Sequence, residues 1–515
     1  MRRSLAAVLV TLATAVTAMP VLSTTADASA PTAIPRTTPG QDDPAHDALQ
    51  RAVRAFAPVK RERTTGPSAR PDATLALRDL FGARARLSDD DRLQADRLLA
   101  RPTDGAADPY QNGYTVPSTR KCSRKVCLHW VNSTADAPPS KAWAMTSLRM
   151  MDKVWRYEVG RLGYRKPRTD RRHSSGPKFD VYLKELGNQF IYGYCAPEYL
   201  VPGTRRVASG FCVLDNDFAK AQFGAPPLTS LRVTAAHEFF HAIQFGYDFR
   251  EDTWLMESTA TWMEEQFADS ANDNRRYLPY GQVAQPQVPL DLSQPNSSAQ
   301  YGNWAFWEYL SRRHGRSIVK KVWQKAGAYR GAGRRDSTPA LKAVLRSRGG
   351  FPKVFSAYAS ANTIPARTYP EGKAWPAARA TRITTLGRST RTTSLRTRVD
   401  HMAAKHVVLR PDSTLKGKKW RLRIKVTAPR RAVGGRAYLI VKTTRGKWVR
   451  RPVALNRKGR GVTSIAFSRR TTRSAILTLV NTSTRFRCRQ NQPYTCAGTP
   501  RADNRLFTVK ATVRR

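Results

Sequence analysis

The stretch that most constrains the fold is VTAAHEFFHAIQFGYD, residues 233–248, in which His237, Glu238 and His241 stand among apolar side chains. The apolar residues occur on almost every side of a helical projection, and this pattern predicts a buried helix. Histidines at positions i and i+4 project from one face of such a helix. Because buried imidazoles and carboxylates cost free energy unless they are satisfied, the surrounding fold has to supply a partner for them.

The HExxH spacing of His237, Glu238 and His241 suits one metal ion and its water. Both imidazoles can bind the same ion, and the glutamate can reach the water without being a ligand. Five of the chain's eleven glutamates fall between residues 238 and 265, which strengthens this interpretation. The alternative is a helix whose histidines only hydrogen-bond within the protein. We expect Zn²⁺, which in catalytic sites takes three protein ligands and leaves one position for water.

The third ligand must come from another segment, and WLMESTATWMEE offers Glu257. Glu257 follows His241 by 16 residues, which is enough for a turn and an antiparallel return helix. Asp248 and Asp252 are alternative third ligands. Thr261 lies one turn after Glu257 on the same face, and we expect it to hydrogen-bond the far nitrogen of a ligand histidine.

The pair HEFFH and WLMESTATW resembles the gluzincin metallopeptidases, in which a glutamate on the following helix completes the zinc site. Ser258 stands where that family commonly has glycine. The resemblance extends to a group of secreted bacterial metalloprotease-like proteins with a C-terminal β domain, through the segments FDVYL, YGYC, CVLDNDF, HEFFHAIQFGYD and QYGNWAFWEYL. It covers about residues 70–515 and implies hydrolysis of peptide bonds, without naming a substrate.

In such an enzyme Glu238 takes a proton from the attacking water and delivers it to the leaving amine. A further donor should stabilise the oxyanion. The candidates are Tyr301, in QYGNW, and Tyr247; the alternative for each is packing in an aromatic wall. The strand at residues 211–215 could pair with an extended substrate. We expect an endopeptidase, because the chain has no GxMEN-like motif that would hold a free amine.

The N-terminus has the composition of a secretory signal peptide. Arg2 and Arg3 are followed by an apolar run and then by the small residues ADASA, which fit cleavage after Ala28 or after Ala30. Pro31 would hinder the second cut, so we expect cleavage after Ala28. An uncleaved membrane anchor is the alternative, but the run is short for a membrane span. We therefore expect a secreted, extracellular protein that is monomeric and has no transmembrane segment in its mature chain.

Six cysteines form three close pairs along the sequence. An even number of cysteines in an exported chain favours disulfides. Closeness in sequence favours the pairs Cys122–Cys127, Cys195–Cys212 and Cys488–Cys496. A zinc site at Cys122 and Cys127 is the alternative for the first pair, although no second pair with matching spacing accompanies it.

Composition and periodicity divide the chain into four parts. Residues 1–28 are the signal peptide. Residues 29–105 are a prosegment or loosely packed extension, unless they belong to the main domain. Residues 106–380 form an α+β metalloprotease domain, with a strand-containing first half and a helical second half that carries the HExxH helix. Residues 381–515 alternate apolar and polar positions, which predicts an all-β sandwich of about seven antiparallel strands.

Most of the excess charge lies in this last part, where 35 Lys and Arg stand against three acids. Such a surface favours an acidic cell-surface polymer or another polyanion as a partner; a merely solvated surface is the alternative. We expect a secreted zinc metalloendopeptidase that acts on protein or peptide substrates. The alternative function is a non-catalytic surface or polyanion-binding protein on a metalloprotease scaffold.

Overall fold

A five-stranded sheet and the helices on both of its faces position the candidate site. The computed structural model describes residues 43–57, 72–105, 110, 112–170, 176–294 and 297–515. The predicted signal peptide lies outside these residues. Within them, no helix combines the length and the apolar character that crossing a membrane requires.

Three helices precede the sheet: α1 Pro44–Phe56, α2 Ala73–Ala83 and α3 Asp89–Leu99. The third begins where its sequence predicts, because the Ser88 hydroxyl accepts the Asp91 N–H and three aspartates occupy the positive end of the helix dipole. Apolar residues of the three helices pack on one face of the sheet, against Tyr182 and Phe211. The described part of this region is therefore a packed layer rather than a loose extension; its removal as a prosegment stays a prediction.

The sheet and its connecting helix consist of β1 Ser118–Cys122, β2 Val126–Val131, α4 Lys141–Trp155, β3 Phe179–Lys184, β4 Gly193–Leu200 and β5 Ala208–Asp215. The strand order is β1-β2-β3-β5-β4. The three central strands run parallel, and each outer strand runs antiparallel to its neighbour. β4 is therefore an edge strand, and β5 is enclosed between β3 and β4.

The helical half follows, with α5 Lys220–Phe223, α6 Pro227–Asp248, α7 Thr253–Ala268, α8 Ala299–Gly302, α9 Trp304–His314, α10 Ser317–Ala326, α11 Ser337–Leu345 and α12 Phe351–Ala361. α6 has a proline in its first turn, where the missing N–H costs nothing. It is buried along most of its 22 residues, as its sequence predicts. Only residues 249–252 join α6 to α7, so the two helices pack side by side.

The C-terminal region is β-rich, with strands β6 Ala380–Leu386, β7 Thr392–Val399, β8 Ala403–Pro411, β9 Arg421–Thr427, β10 Gly435–Thr443, β11 Trp448–Pro452, β12 Arg460–Ala466, β13 Thr472–Asn481, β14 Phe486–Arg487, β15 Thr499–Pro500 and β16 Arg505–Arg514. Two sheets, β11-β10-β13-β8-β6 and β12-β9-β16-β7, share one apolar core. Their nine strands exceed the seven expected, because β6 and β7 carry too few apolar residues for a clear pattern. β6 also runs parallel to β8, so the region is not wholly antiparallel.

All three expected disulfides are formed: Cys122–Cys127, Cys195–Cys212 and Cys488–Cys496. Three disulfides fit an extracellular protein. The second joins β4 to β5 directly beneath α6, and the Cys195 sulfur lies 2.9 Å from the Glu238 carbonyl oxygen.

Polar contacts join the helical half to the β-rich region. Asp291 accepts hydrogen bonds from His401 and Thr495, and Asp252 accepts the Cys496 N–H. Pro44–Arg515 accordingly form one compact unit. Near residue 380, where we expect a domain boundary, the chain changes from helices to strands. That the two parts are independent domains stays a prediction.

Candidate metal centre

α6 and α7 bring three expected ligands together. His237 and His241 lie one turn apart on α6, and Glu257 faces them from α7. Their Nε2 atoms lie 3.4 and 3.5 Å from the two carboxylate oxygens of Glu257. All three candidate ligand atoms lie within 4.8 Å of one another. Tetrahedral ligands at zinc bond lengths stand about 3.3 Å apart, so this spacing is that of three groups around one ion.

The outer nitrogen of each histidine has a partner of its own. His237 Nδ1 lies 2.6 Å from a carboxylate oxygen of Glu264, and His241 Nδ1 lies 2.8 Å from the amide oxygen of Gln244. Thr261, which we expected in this role, instead donates to the carbonyl four residues earlier in its own helix. A helical threonine readily makes this bond, and it is the longer Glu264 and Gln244 side chains that reach the histidines.

The hydrogen bonds of Gln244 define the state of His241. The Gln244 amide nitrogen donates to the Met256 carbonyl and to the Thr259 hydroxyl, so its oxygen must face the imidazole. His241 Nδ1 therefore carries the hydrogen, and the Nε2 lone pair is directed at Glu257. Burial lowers the pKa of His241 to about 4, so the ring is neutral at pH 7. Neutral imidazole is the form that ligates metals.

Several polar atoms at this point have no hydrogen-bond partner among the described residues. They are His241 Nε2 and both carboxylate oxygens of Glu257, and both side chains are fully buried. Burial disfavours a charged His237, but the Glu257 and Glu264 carboxylates raise its pKa well above the ordinary value. Buried acceptors without partners are costly, and a cation between them would satisfy all three. Two imidazoles and one carboxylate form a donor set that zinc accepts, so the residues fit the metal.

The alternative third ligands lie elsewhere. Asp248 pairs with Arg206, with N–O distances of 2.9 and 3.0 Å. Asp252 accepts hydrogen bonds from the Ser337 hydroxyl and from the Cys496 N–H. Because both carboxylates are committed to these contacts, Glu257 is the acidic residue that the structure places against the two histidines.

Glu238 lies beside this cluster and faces a cavity. Its side chain is held from the N-terminal region, because the Thr74 hydroxyl donates to Glu238 Oε2 at 3.0 Å. Burial raises the pKa of Glu238 to about 8, opposed by the charge of His237 and by the hydrogen bond from Thr74. A carboxylate next to the candidate ligands, but outside their set, is where a general base is required.

The two tyrosines proposed as oxyanion donors have different surroundings. The Tyr301 ring stacks with that of Tyr277 and lies 6.4 Å from the His237 ring, at the wall of the cavity. Its hydroxyl donates to Asp72 at 2.9 Å. Tyr247 is buried near the C-terminal end of α6, and its hydroxyl oxygen accepts the Arg165 N–H at 3.2 Å. Tyr247 is therefore a packing residue that does not line the cavity.

A cavity of about 760 Å³ opens over His237 and Glu238. Its walls come from α2, from the start of β4 and from the segment that includes Tyr301. This volume is in the range of ligand-binding clefts. The strand that we expected to pair with a substrate, residues 211–215, lies in β5 and is enclosed by its neighbours. The free edge at the cavity belongs to β4, and this corrects the expectation.

Sequence reasoning missed the roles of five residues of the site: Asp72, Thr74, Gly193, Gln244 and Glu264. Gln244 is three residues after His241 and so shares its face, a local signal that could have identified it. A Cβ on Gly193 would lie 3.1 Å from Glu238 Cγ and 2.9 Å from Thr234 Cγ2, which explains the glycine in YGYC. Asp72 and Thr74 carried no signal, because their partners are far away in the sequence.

Comparisons with known proteins add little about function. Residues 117–332 match a family described as a family of unknown function, DUF6055. No curated protein matches the chain. The pre-peptidase C-terminal domain of collagenase from Bacillus anthracis is similar over 26% of this chain and 94% of its own, at 8% identity and a TM-score of 0.15. A family GH115 4-O-methyl-α-glucuronidase with specificity for decorated arabinogalactans is similar over 56% of this chain and 38% of its own, at 8% identity and a TM-score of 0.13. Neither likeness carries an argument.

Proposed function

We propose that this protein is a secreted zinc-dependent metalloendopeptidase of the gluzincin type. The proposal depends on one observation: His237, His241 and Glu257 converge beside a separate carboxylate, Glu238. In the described residues, His241 Nε2 and both Glu257 carboxylate oxygens are buried without a hydrogen-bond partner. Glu264 and the Gln244 amide orient the two imidazoles from behind, as the outer partners of metal-bound histidines do. A purely structural cluster would satisfy these atoms internally.

Each residue then has a defined task. A zinc ion held here would polarise the scissile carbonyl and acidify an attacking water. Glu238 takes the proton from that water and passes it to the leaving amine. Tyr301, at the cavity wall, is the remaining candidate for stabilising the oxyanion, although its hydroxyl is bound to Asp72 in this structure. An extended protein or peptide substrate would pair with the edge of β4 at Gly193, which lines the cavity; the N–H of Cys195 on the same strand is already bound by Thr74.

The test compares metal content and activity in the purified protein. We expect about one zinc per chain and hydrolysis of a casein or peptide-library substrate that a chelator abolishes. Glu238→Gln should retain the zinc, because Glu238 is not in the ligand set, and should lower kcat by about 10² or more, because an amide cannot accept the proton. Glu265→Gln is a matched control, since Glu265 is a buried glutamate on α7 that hydrogen-bonds Asn274.

Two outcomes would overturn the proposal. A near-wild-type rate in Glu238→Gln would place the base elsewhere. Bound zinc without hydrolysis of any peptide in the library would favour the non-catalytic alternative, a surface protein on a metalloprotease scaffold.

A second proposed activity is binding of an acidic polymer by the C-terminal region. The outer face of the sheet β12-β9-β16-β7 presents basic residues from all four strands. They are Arg396, Arg398, Arg421, Arg423, Lys425, Arg460, Lys510 and Arg514. None of the eight pairs with a carboxylate within the described residues.

The arrangement of these charges favours a partner rather than a solvated surface. Lys425 and Lys510 stand directly opposite each other on adjacent strands, and so do Arg421 and Arg514. Like charges in such pairs destabilise a sheet. A bound polyanion would offset the repulsion, and an acidic cell-surface polymer is the partner that suits a secreted protein.

A further inference from the structure

α2 contacts the candidate active site, although it lies far before the HEFFH and WLMESTATW motifs in the sequence. The Thr74 hydroxyl oxygen accepts the Cys195 N–H at 2.9 Å, on the free edge of β4. The same hydroxyl donates its hydrogen to Glu238 Oε2 at 3.0 Å. An ionised carboxylate can only accept hydrogen bonds, so the Thr74 hydroxyl is the donor in the second bond whenever Glu238 is in the form that acts as a base. Thr74 thereby links the sheet edge to Glu238.

Asp72 caps α2 and contacts the cavity wall. One of its carboxylate oxygens accepts the Leu75 N–H at 2.8 Å, which is the usual role of a helix N-cap. The other accepts the Tyr301 hydroxyl at 2.9 Å. Two residues at one end of α2 therefore contact two side chains of the cavity wall, the proposed base Glu238 and the candidate oxyanion donor Tyr301.

Arg78 ties the same helix to the helix that carries Glu257. Its guanidinium donates to the Glu251 carbonyl at 3.2 Å and to the Thr253 hydroxyl at 3.1 Å, at the start of α7. Arg78 is only 7% exposed. α2 thus contacts each of the three elements that build the site: the β4 edge, α6 and α7.

The packing of α2 opposes its removal. Leu77 and Leu80 are fully buried in the apolar layer over Tyr194 and Val213 of the sheet. Exposing such a layer to water costs about 25 cal/mol per Å² of apolar surface. A prosegment that occupied the cleft and then left would uncover this face.

We infer that α2 is a permanent part of the active protein and that Thr74 is a positioning residue for Glu238. This inference rests on the proposed function. A glutamate side chain has several rotamers, and Thr74 restricts it by binding Oε2, which leaves Oε1 for the proton. Any maturation cleavage then has to fall before Asp72, so that the predicted extension, residues 29–105, is only in part removable.

Two substitutions of Thr74 distinguish the effect of its hydroxyl group from the effect of its side-chain volume. Thr74→Val keeps the volume and loses the hydrogen bond, whereas Thr74→Ser keeps the hydroxyl. We expect Thr74→Val to lower kcat about tenfold with little change in KM, since a misplaced base slows the reaction without altering substrate binding. Zinc content should stay at the wild-type level, because Thr74 contacts no ligand. Thr74→Ser should restore most of kcat.

A second measurement does not depend on catalysis. In a double-mutant cycle on the equilibrium constant of unfolding, Thr74→Val should cost less in a Glu238→Ala background than in the wild type, because one of its two partners is then absent. Additive effects would show that the Thr74–Glu238 contact is not made in solution. If the wild type hydrolyses no peptide, the proposed function fails while this cycle still reports on the contact.

Three results would overturn the inference. Thr74→Val with wild-type kcat would make the hydroxyl irrelevant to the reaction. A rise in activity in Thr74→Val would show that α2 inhibits the site, as a prosegment does. A folded, active protein that begins after residue 105 would show that the helix is dispensable.

Discussion

Two of the buried clusters that combine histidine with carboxylates differ in whether their polar atoms have hydrogen-bond partners. His401 lies 2.9 Å from an oxygen of Asp291 through Nε2 and 2.9 Å from an oxygen of Asp503 through Nδ1. The second oxygen of Asp291 accepts the N–H and the hydroxyl of Thr495. At α6 and α7, by contrast, His241 Nε2 has no partner among the described residues. The same residue types therefore make a fully hydrogen-bonded cluster, the clamp of His401, Asp291 and Asp503, in one place and a candidate ligand site in the other.

The contrast extends to the charge of each ring. Burial opposes protonation of His401, but Asp291 and Asp503 raise its pKa to about 9, so it is a cation at pH 7. His241 gives its one hydrogen to the neutral amide of Gln244, and burial lowers its pKa to about 4. A histidine that donates twice to carboxylates cannot ligate, whereas one whose second nitrogen is free can. The hydrogen-bond partners of each histidine thus distinguish the two sites better than their residue composition does.

The largest expected effect is the loss of bound zinc, which should follow replacement of His241 but not of His401. His241→Ala should lose the bound zinc and all measurable activity, because it removes one of three ligands. His401→Ala should keep about one zinc per chain, measured by elemental mass spectrometry. It should destabilise the fold by about 3–5 kcal/mol, because it leaves the Asp291 carboxylate buried without its cation. Stoichiometric zinc in His241→Ala would refute the ligand assignment.

A smaller effect on zinc binding is expected from Gln244, the residue that contacts the outer nitrogen of His241. Gln244→Leu removes the acceptor that orients His241, and zinc affinity should fall about 10–100-fold, as it does when outer partners of metal ligands are lost. Gln282→Leu is the matched control: Gln282 is a buried glutamine that donates to the Val288 and Met402 carbonyls, away from the site. Competition with a zinc chelator measures both variants. Equal affinities would mean that Gln244 only packs.

The contribution of the clamp to the free energy of unfolding should depend on pH, because His401 is charged in the folded protein. The folded pKa of His401, about 9, exceeds that of an unfolded histidine, about 6.5. Its stabilisation is therefore complete below about pH 6.5 and is lost as the pH rises to 9, by at most about 3 kcal/mol. Asp291 and Asp503 have lowered pKa values, so acid weakens the clamp as well.

Urea unfolding at pH 6 and pH 9.5 measures this loss of folding stability. The His401→Gln variant is the reference, because it keeps all other titrating groups and lacks only the imidazole. The neighbouring Asp400 and Tyr494 are present in both proteins and cancel in the difference. An equal loss of stability in the wild type and in His401→Gln would remove the clamp from the comparison.

The smallest effect concerns basic residues of the sheet β12-β9-β16-β7, which pair with no carboxylate in the part of the chain that the structure describes. Replacing Arg421, Arg423 and Lys425 by glutamine should weaken binding of the full-length protein to an acidic cell-wall polymer. It should also lower the slope of log affinity against log salt by about two to three. The control replaces Arg431, Arg457 and Lys458, which are exposed and lie outside the strands of this sheet. Equal losses in both variants would show that net charge, rather than this face, binds the polymer.

Much of the candidate metal centre could be predicted because its signals are local. A helix determines that His237 and His241 share a face, and the 16 residues to Glu257 allow one return helix. The disulfides were predicted on the same ground, since each joins cysteines that are close in sequence. The strands β6 and β7 were harder to predict, because their mostly polar sequences carry little periodicity.

Only the tertiary structure decided which side chains reach which atoms. Thr261 and Glu264 share a face of α7, yet Glu264 contacts His237, because reach depends on the distance between packed helices. The order of strands makes β4, rather than β5, the free edge. Thr74 meets Glu238 across 164 residues, and no periodic pattern encodes such a contact. Sequence alone thus determined the donor set, and folding determined its partners, because periodicity acts within one element and packing acts between elements.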